Sequence, residues 1–144
     1  MAQAFNKYNS FVEQLALAAH NLSTCTLNVG LSNTVGDAAA SQTVFTAITQ
    51  IGAGTGYTTG GATATRAYSY ATGTVTVKGT KIVWTGSGGG MGPFQYCVLY
   101  NDFHATKGLI GWWAAAAAVT LAASETFSLK FNSSDTSDTM FTLS

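Results

Sequence analysis

The stretch that decides the fold is Phe94-Gln95-Tyr96-Cys97-Val98-Leu99-Tyr100-Asn101-Asp102. Successive strand residues face opposite sides of a sheet. Phe94, Tyr96, Val98 and Tyr100 therefore share one side, and Gln95, Cys97 and Leu99 the other. Both sides are apolar, so the strand belongs at the centre of a sheet, covered on both faces. Asn101-Asp102 supplies turn chemistry, and Leu109-Ile110-Gly111-Trp112-Trp113 reads as the next strand.

Working back toward the N-terminus, the glycine-rich run Gly86 to Gly92 is closed by Pro93, the only proline. Ile82 to Thr85 is β-patterned, and Gly79-Thr80 turns it away from a strand in which Val75 and Val77 alternate with Thr74, Thr76 and Lys78. Gly73 turns that strand away from Ala67 to Ala71. Leu27, Val29 and Leu31 alternate with Thr26, Asn28 and Gly30, the pattern of a half-buried strand. Between these lie a small polar surface loop from Asn33 to Gln42, a short apolar segment from Val44 to Ile51, and a glycine-rich loop from Gly52 to Gly61. Toward the C-terminus, the alanines from Ala114 to Ala118 favour helix by propensity, but their strand neighbours favour extended chain at least as strongly. Phe127, Leu129 and Phe131 alternate, residues Asn132 to Asp138 form a polar turn, and Met140 to Leu143 is a terminal strand.

One helix is expected, over about residues 9–21. Tyr8, Phe11, Val12, Leu15, Ala19 and Leu22 recur at helical spacing, and Ser10 with Glu13 fits a capping box. Ala16, Leu17 and Ala18, apolar beyond that stripe, predict burial on more than one side. The fold class is therefore mainly β: a single domain over 1–144, an antiparallel β-sandwich or jelly roll of about eight strands with one N-terminal α-helix.

Only 8% of the 144 residues are charged, and six basic residues balance six acidic ones. A typical soluble domain carries about 25%. A surface of Thr, Ser, Asn and Gly would explain this, as would one covered by partners; the two are compatible. The cations Lys7, Arg66, Lys78, Lys81, Lys107 and Lys130 are scattered, which argues against nucleic acid as a partner. The longest apolar run, Trp112 to Val119, falls far short of the roughly 20 residues that span a bilayer, so no membrane association is expected. No secretory signal opens the chain, and cytoplasmic synthesis follows. Cys25 and Cys97 form no metal or redox motif and read as reduced, buried residues, with a disulfide between them the alternative.

No enzymatic constellation emerges. The acids Glu13, Asp37, Asp102, Glu125, Asp135 and Asp138 mostly sit where turns are expected. His20 falls in the last turn of the expected helix, where its role is capping or packing. Asp102 and His104 share one turn but are too few for a metal site. Gly54-Thr55-Gly56 lacks the third glycine of a dinucleotide fingerprint. Neither HExxH nor GxSxG occurs. No catalytic residue, cofactor or metal is assigned. The aromatics Tyr57, Tyr68, Tyr70, Trp84, Tyr96, Tyr100, Trp112 and Trp113 leave open a sugar-stacking platform, with core packing the commoner role. Adjacent Trp112 and Trp113 face opposite ways, so one enters the core while the other meets solvent, the helix or a partner.

Three segments resemble a family of small tailed-phage virion proteins. The first runs from Tyr8-Asn9-Ser10-Phe11-Val12 through His20-Asn21-Leu22 to Leu27-Asn28-Val29-Gly30-Leu31. The second joins Ile48-Thr49-Gln50-Ile51 to Gly56-Tyr57-Thr58-Thr59-Gly60-Gly61. The third, the most specific, runs from Trp84-Thr85 through Gly92 to Asp102, then Leu109 to Trp113, Val119-Thr120-Leu121 and Glu125-Thr126-Phe127. The Ala114 to Ala118 run departs from the more polar segment expected there. The resemblance implies a non-enzymatic head decoration or cement protein on the capsid surface of the virion. Its partners would be the major capsid protein and itself, as homodimer or homotrimer. From the residues themselves, the N-terminal arm with Phe5 and Tyr8 and the strand with Trp112 and Trp113 are expected at the interface. A tail or fibre-associated β-domain and a carbohydrate-binding module using Tyr57 are the alternatives.

Overall fold

The computed structural model describes residues 4–131 and 138–144. In chain order the elements are β1 (Asn6–Lys7), α1 (Asn9–Ala16), β2 (Leu27–Ser32), β3 (Ala62–Ala64), β4 (Arg66–Ala71), β5 (Thr74–Gly79), β6 (Ile82–Thr85), β7 (Met91–Asn101), β8 (Leu109–Leu121), β9 (Thr126–Leu129) and β10 (Asp138–Leu143). They form a five-stranded sheet of order β1-β8-β7-β2-β3, a three-stranded sheet of order β10-β5-β4 and the ribbon β6-β9. Every pairing is antiparallel. The chain is mainly β with one helix, consistent with a β-sandwich; the strand orders do not establish the jelly-roll description. The short strands β1 and β3 take the number among the described residues beyond the eight expected. The polar turn expected at 132–138 lies outside the described residues except for Asp138, which opens β10.

β7 is central, between β8 and β2, and both its faces are buried, as its two-sided apolar pattern requires. Cys97 and Leu99 face the main core with Leu27, Val29 and Leu31 of β2, Ile110 and Trp113 of β8, Val77, Trp84, Leu129, Met140 and Phe141. Tyr96, Val98 and Tyr100 face a second core with Leu109, Trp112, Tyr8, Phe45 and Ile48. The long β2–β3 connection roofs this second core. It carries 3-10 turns at Val35–Ala38 and Phe45–Ala47, and the Phe45 ring stacks on Tyr100 with centroids 3.7 Å apart. The polar loop and the apolar segment of that connection thus act together as a cover. Phe94 departs from the simple alternation. A register shift between Phe94 and Tyr96 turns its ring into the main core, opposite to Tyr96. Opposite the single residue Gln95, β8 carries four, Ala115 to Ala118, between the pairs Tyr96↔Ala114 and Phe94↔Val119. The alanine run is therefore extended chain that bulges from the sheet.

The helix is shorter than its sequence pattern. It ends at Ala16, and Ala18 takes a positive φ of 56° that breaks the helical path. Ala16, Leu17 and Ala18 consequently point to solvent rather than into a second contact, and so does Val12 from within the expected stripe. The capping box is not made: Tyr8 is the N-cap with no side-chain bond, while Ser10 Oγ donates to the Gln42 carbonyl at 3.3 Å. His20 lies beyond the helix, buried, with Nδ1 3.2 Å from Asn101 Nδ2.

Candidate contact surfaces

Of the four residues expected to meet partners, Tyr8, Trp112 and Trp113 are buried within the chain and Phe5 is half-buried against it. Residues Asn6 and Lys7 pair with Trp112 and Gly111 at the edge of β8, making the N-terminal arm an internal strap. Phe5 lies against Trp113 and Phe141, with ring centroids at 5.3 and 5.1 Å. Gly111 leaves the space that Phe5 and the Asn6 carbonyl occupy. Tyr8 is fully buried, donates its hydroxyl to the Asp37 carbonyl at 2.6 Å and packs on Trp112 at 4.6 Å. Of the surroundings left open for the second tryptophan, the structure takes the helix side: Trp112 meets Tyr8, the helix N-cap, while Trp113 fills the main core. Aromatic adjacency in the sequence signals two cores on two faces of one sheet here, and it does not signal a surface hot spot.

The sugar-platform aromatics contract in the same way. Tyr57 is buried, donating to Gln50 Oε1 at 2.8 Å and accepting from the Leu31 amide at 3.2 Å. Burial pushes its hydroxyl up to about 12. Tyr100 donates to the Gly60 carbonyl at 2.8 Å. These two hydroxyls tie the glycine-rich loop to the sheet, a structural role that buried tyrosines commonly take. Only Tyr68 and Tyr70 of the platform set stay open, at 53% and 70% exposure.

Asp37, Asp102, Lys107 and His104 make contacts within the chain. Asp37 is buried, and its Oδ2 accepts from Ser32 Oγ at 2.5 Å and from the Thr49 amide at 2.9 Å, so it is no ordinary turn aspartate. Asp102 pairs with Lys107 Nζ at 2.6 Å, and His104 Nδ1 meets Thr106 Oγ1 at 2.8 Å. Among the described residues no three His, Cys, Asp or Glu side chains converge. Cys25 and Cys97 are free and buried. A groove of about 250 Å³ between Asn33–Thr34, Thr49–Gly52 and Gly92–Pro93 is lined by uncharged residues. Among the described residues no helix is long and apolar enough to cross a membrane.

Among the described residues Val12, Val35 and Val83 also expose apolar side chains, and two further places hold a pair of large ones each. At the first, Asn101 joins the post-helix turn to the β7–β8 turn: its Nδ2 reaches the Ala19 carbonyl at 3.4 Å and its Oδ1 accepts from the Phe103 amide at 3.1 Å. Leu17 and Phe103 project from these joined turns at 71% and 77% exposure. The other place is β4, where Ala67 to Ala71 are exposed on both faces. Tyr68 and Tyr70 share a face with their β5 partners Val77 and Val75. Val77 is buried and Val75 packs on the core, so the tyrosines extend an inner face past the point where the core stops. The sequence set Tyr68 and Tyr70 only among the candidate sugar-stacking aromatics and passed over Leu17 and Phe103 as surface positions, because a turn phenylalanine looks like an ordinary turn. The available signal is the absence of charge from Ala67 through Val77. No protein-family model, no curated protein and no solved structure matches the chain.

Proposed function

We propose that the chain is a non-enzymatic decoration or cement protein that binds the outer surface of a tailed-phage head and bridges neighbouring copies of the major capsid protein. The observation that carries this reading is the pair of exposed apolar side chains, Leu17 and Phe103, on two turns joined by Asn101 in a chain with few charges. Apolar side chains grouped on a surface mark contact sites. Asn101 ties the two turns together, and the charges of the β7–β8 turn, Asp102 and Lys107, neutralise each other as an ion pair. A cement role needs complementary area, and small contacts repeated over a shell sum by multivalency. The tailed-phage resemblance supports the same reading. Phe5, Tyr8, Trp112 and Trp113 serve it indirectly, by holding the sheet that carries the β7–β8 turn.

The test is co-sedimentation of purified protein with mature-form shells that lack it. Saturable binding at tens to hundreds of copies per shell, lost in the Leu17→Ser/Phe103→Ser variant, is the expected result. Absence of binding, with the protein confined to tails in fractionated virions, would transfer the reading to a tail component. The carbohydrate-binding reading retains only Tyr68 and Tyr70 as exposed aromatics; glycan binding abolished by Tyr68→Ala/Tyr70→Ala would favour it.

A further inference from the structure

We infer that β4 is a two-fold dimerisation edge, at which Arg66–Ala71 pairs antiparallel with the same strand of a second copy in a register centred on Ser69. The three-stranded sheet ends at β4, and among the described residues no strand pairs with its outer edge. An open edge is ordinarily protected by a lysine, a proline or a bulge. Here Ala67-Tyr68-Ser69-Tyr70-Ala71 has none, and its pairing with β5 runs without a shift from Arg66↔Gly79 to Ala71↔Thr74. The one charge on the strand, Arg66, is turned away: its Nε donates to the Cys25 carbonyl at 3.0 Å and its Nη1 to the Leu22 carbonyl at 2.7 Å.

Three features select a second copy as the occupant. The segment reads identically in both directions about Ser69, so a two-fold axis through Ser69 sets each tyrosine opposite a tyrosine and each alanine opposite an alanine. Such self-complementarity is what an isologous interface requires. The backbone parity also fits. Thr80 donates to the Thr65 carbonyl at 3.1 Å, and the alternation of antiparallel ladders then makes Thr65, Ala67, Ser69 and Ala71 the residues bonded toward β5. Arg66, Tyr68 and Tyr70 direct their amides and carbonyls outward. In the Ser69-centred register, Tyr68 and Tyr70 of the two copies exchange four backbone hydrogen bonds, with Ser69 facing its mate in the close, non-bonded position. Finally, the formal net charge is zero, so two copies approach without long-range repulsion. The product is one continuous six-stranded sheet, with Tyr68 and Tyr70 forming cross-strand aromatic pairs on its inner face. This dimer stands independently of the capsid reading, and it selects two-fold over three-fold association.

Sedimentation equilibrium of the whole chain tests it, together with cysteine cross-linking. The expected mass is about twice the 14.9 kDa of one chain. Tyr70→Pro removes an outward amide and leaves the ladder to β5 intact, so it should sediment as a monomer with an unchanged circular dichroism spectrum. Ser69→Cys should form an inter-chain disulfide on mild oxidation, since facing residues in the close position meet disulfide geometry and the native cysteines are buried. Ala67→Cys and Ala71→Cys should each fail alone yet cross-link when mixed. A monomeric wild-type chain overturns the inference, as does a folded Tyr70→Pro dimer, or cross-linking of Ala67→Cys alone as fast as Ser69→Cys.

Discussion

Adding a methyl group at Gly111 should cost stability by expelling a different residue. A Cβ at Gly111 collides with the Phe5 ring and lies 2.5 Å from the Asn6 carbonyl. Phe5 cannot give way while keeping its contacts with Trp113 and Phe141. Truncating a buried phenylalanine costs about 3–5 kcal/mol; for the half-buried Phe5 about 2 kcal/mol is appropriate. Gly111→Ala should lose this plus the strain against Asn6, about 3 kcal/mol together. At an unfolding entropy of about 2.1 cal/mol/K per residue, 1 kcal/mol shifts the midpoint of a chain this long by about 3 °C. Phe5→Ala should therefore lower Tm by about 6 °C and Gly111→Ala by about 9 °C. The double variant separates the causes. With the ring already gone, Gly111→Ala should cost only about 1 kcal/mol, a coupling of about 2 kcal/mol between the sites. The assay is a double-mutant cycle by guanidinium denaturation at fixed protein concentration. Additivity within about 0.5 kcal/mol would refute the strap, because it would mean that Phe5 does not occupy the Gly111 space in solution.

Three further outcomes are expected. Burial and the nearby His104 push His20 down to about 4, so the unfolded chain takes up a proton near pH 6.5 that the folded chain refuses. Stability is then full above pH 6.5 and falls by about 2 kcal/mol from pH 7 to pH 5, and His20→Asn should flatten that slope in denaturation midpoints. Gly61 has a φ of +78° with the Val29 carbonyl where a Cβ would sit; Gly61→Ala should cost more than about 3 kcal/mol, read as a Tm drop near 10 °C or loss of soluble protein. Burial pushes the Cys97 thiol up to about 12 and raises that of Cys25. Neither should react with a disulfide reagent over minutes in the folded protein, and both should react at once in guanidinium.

What the sequence made legible is the sheet. The two-sided apolar pattern of residues 96–100 located the central strand because period-two alternation survives wherever the ladder is regular. It misplaced Phe94 because a bulge changes parity without leaving a residue signature. The helix overshot because Ala16-Leu17-Ala18 are good helix formers, while the left-handed residue that ends it is Ala18, with the Ala19 amide bonded back to the Gln14 carbonyl, and not the glycine that usually marks such an end. The four residues expected at an interface pack against the rest of the chain. Apolar residues mark burial but not what buries them, so Phe5, Tyr8, Trp112 and Trp113 look the same whether a partner or the rest of the chain covers them. The reverse holds for Tyr68 and Tyr70. Their alternation with Ala67, Ser69 and Ala71 identified a strand, but only the extent of the core shows that their face runs past it.

The bulge at Ala115 to Ala118 has a practical consequence. Four residues stand opposite Gln95 alone, its Nε2 donating to the Ala115 carbonyl at 3.2 Å, and Ala116 to Ala118 are exposed. No pairing register passes through them, so the chain can be lengthened there while Tyr96↔Ala114 and Phe94↔Val119 keep their partners. Methyl side chains also lose no rotamer freedom on folding, so replacing them forfeits little. An epitope or affinity tag inserted between Ala116 and Ala117 would be carried on the outside of the sheet by two anchored strand segments, making this short alanine run the natural point at which to engineer the protein as a display scaffold.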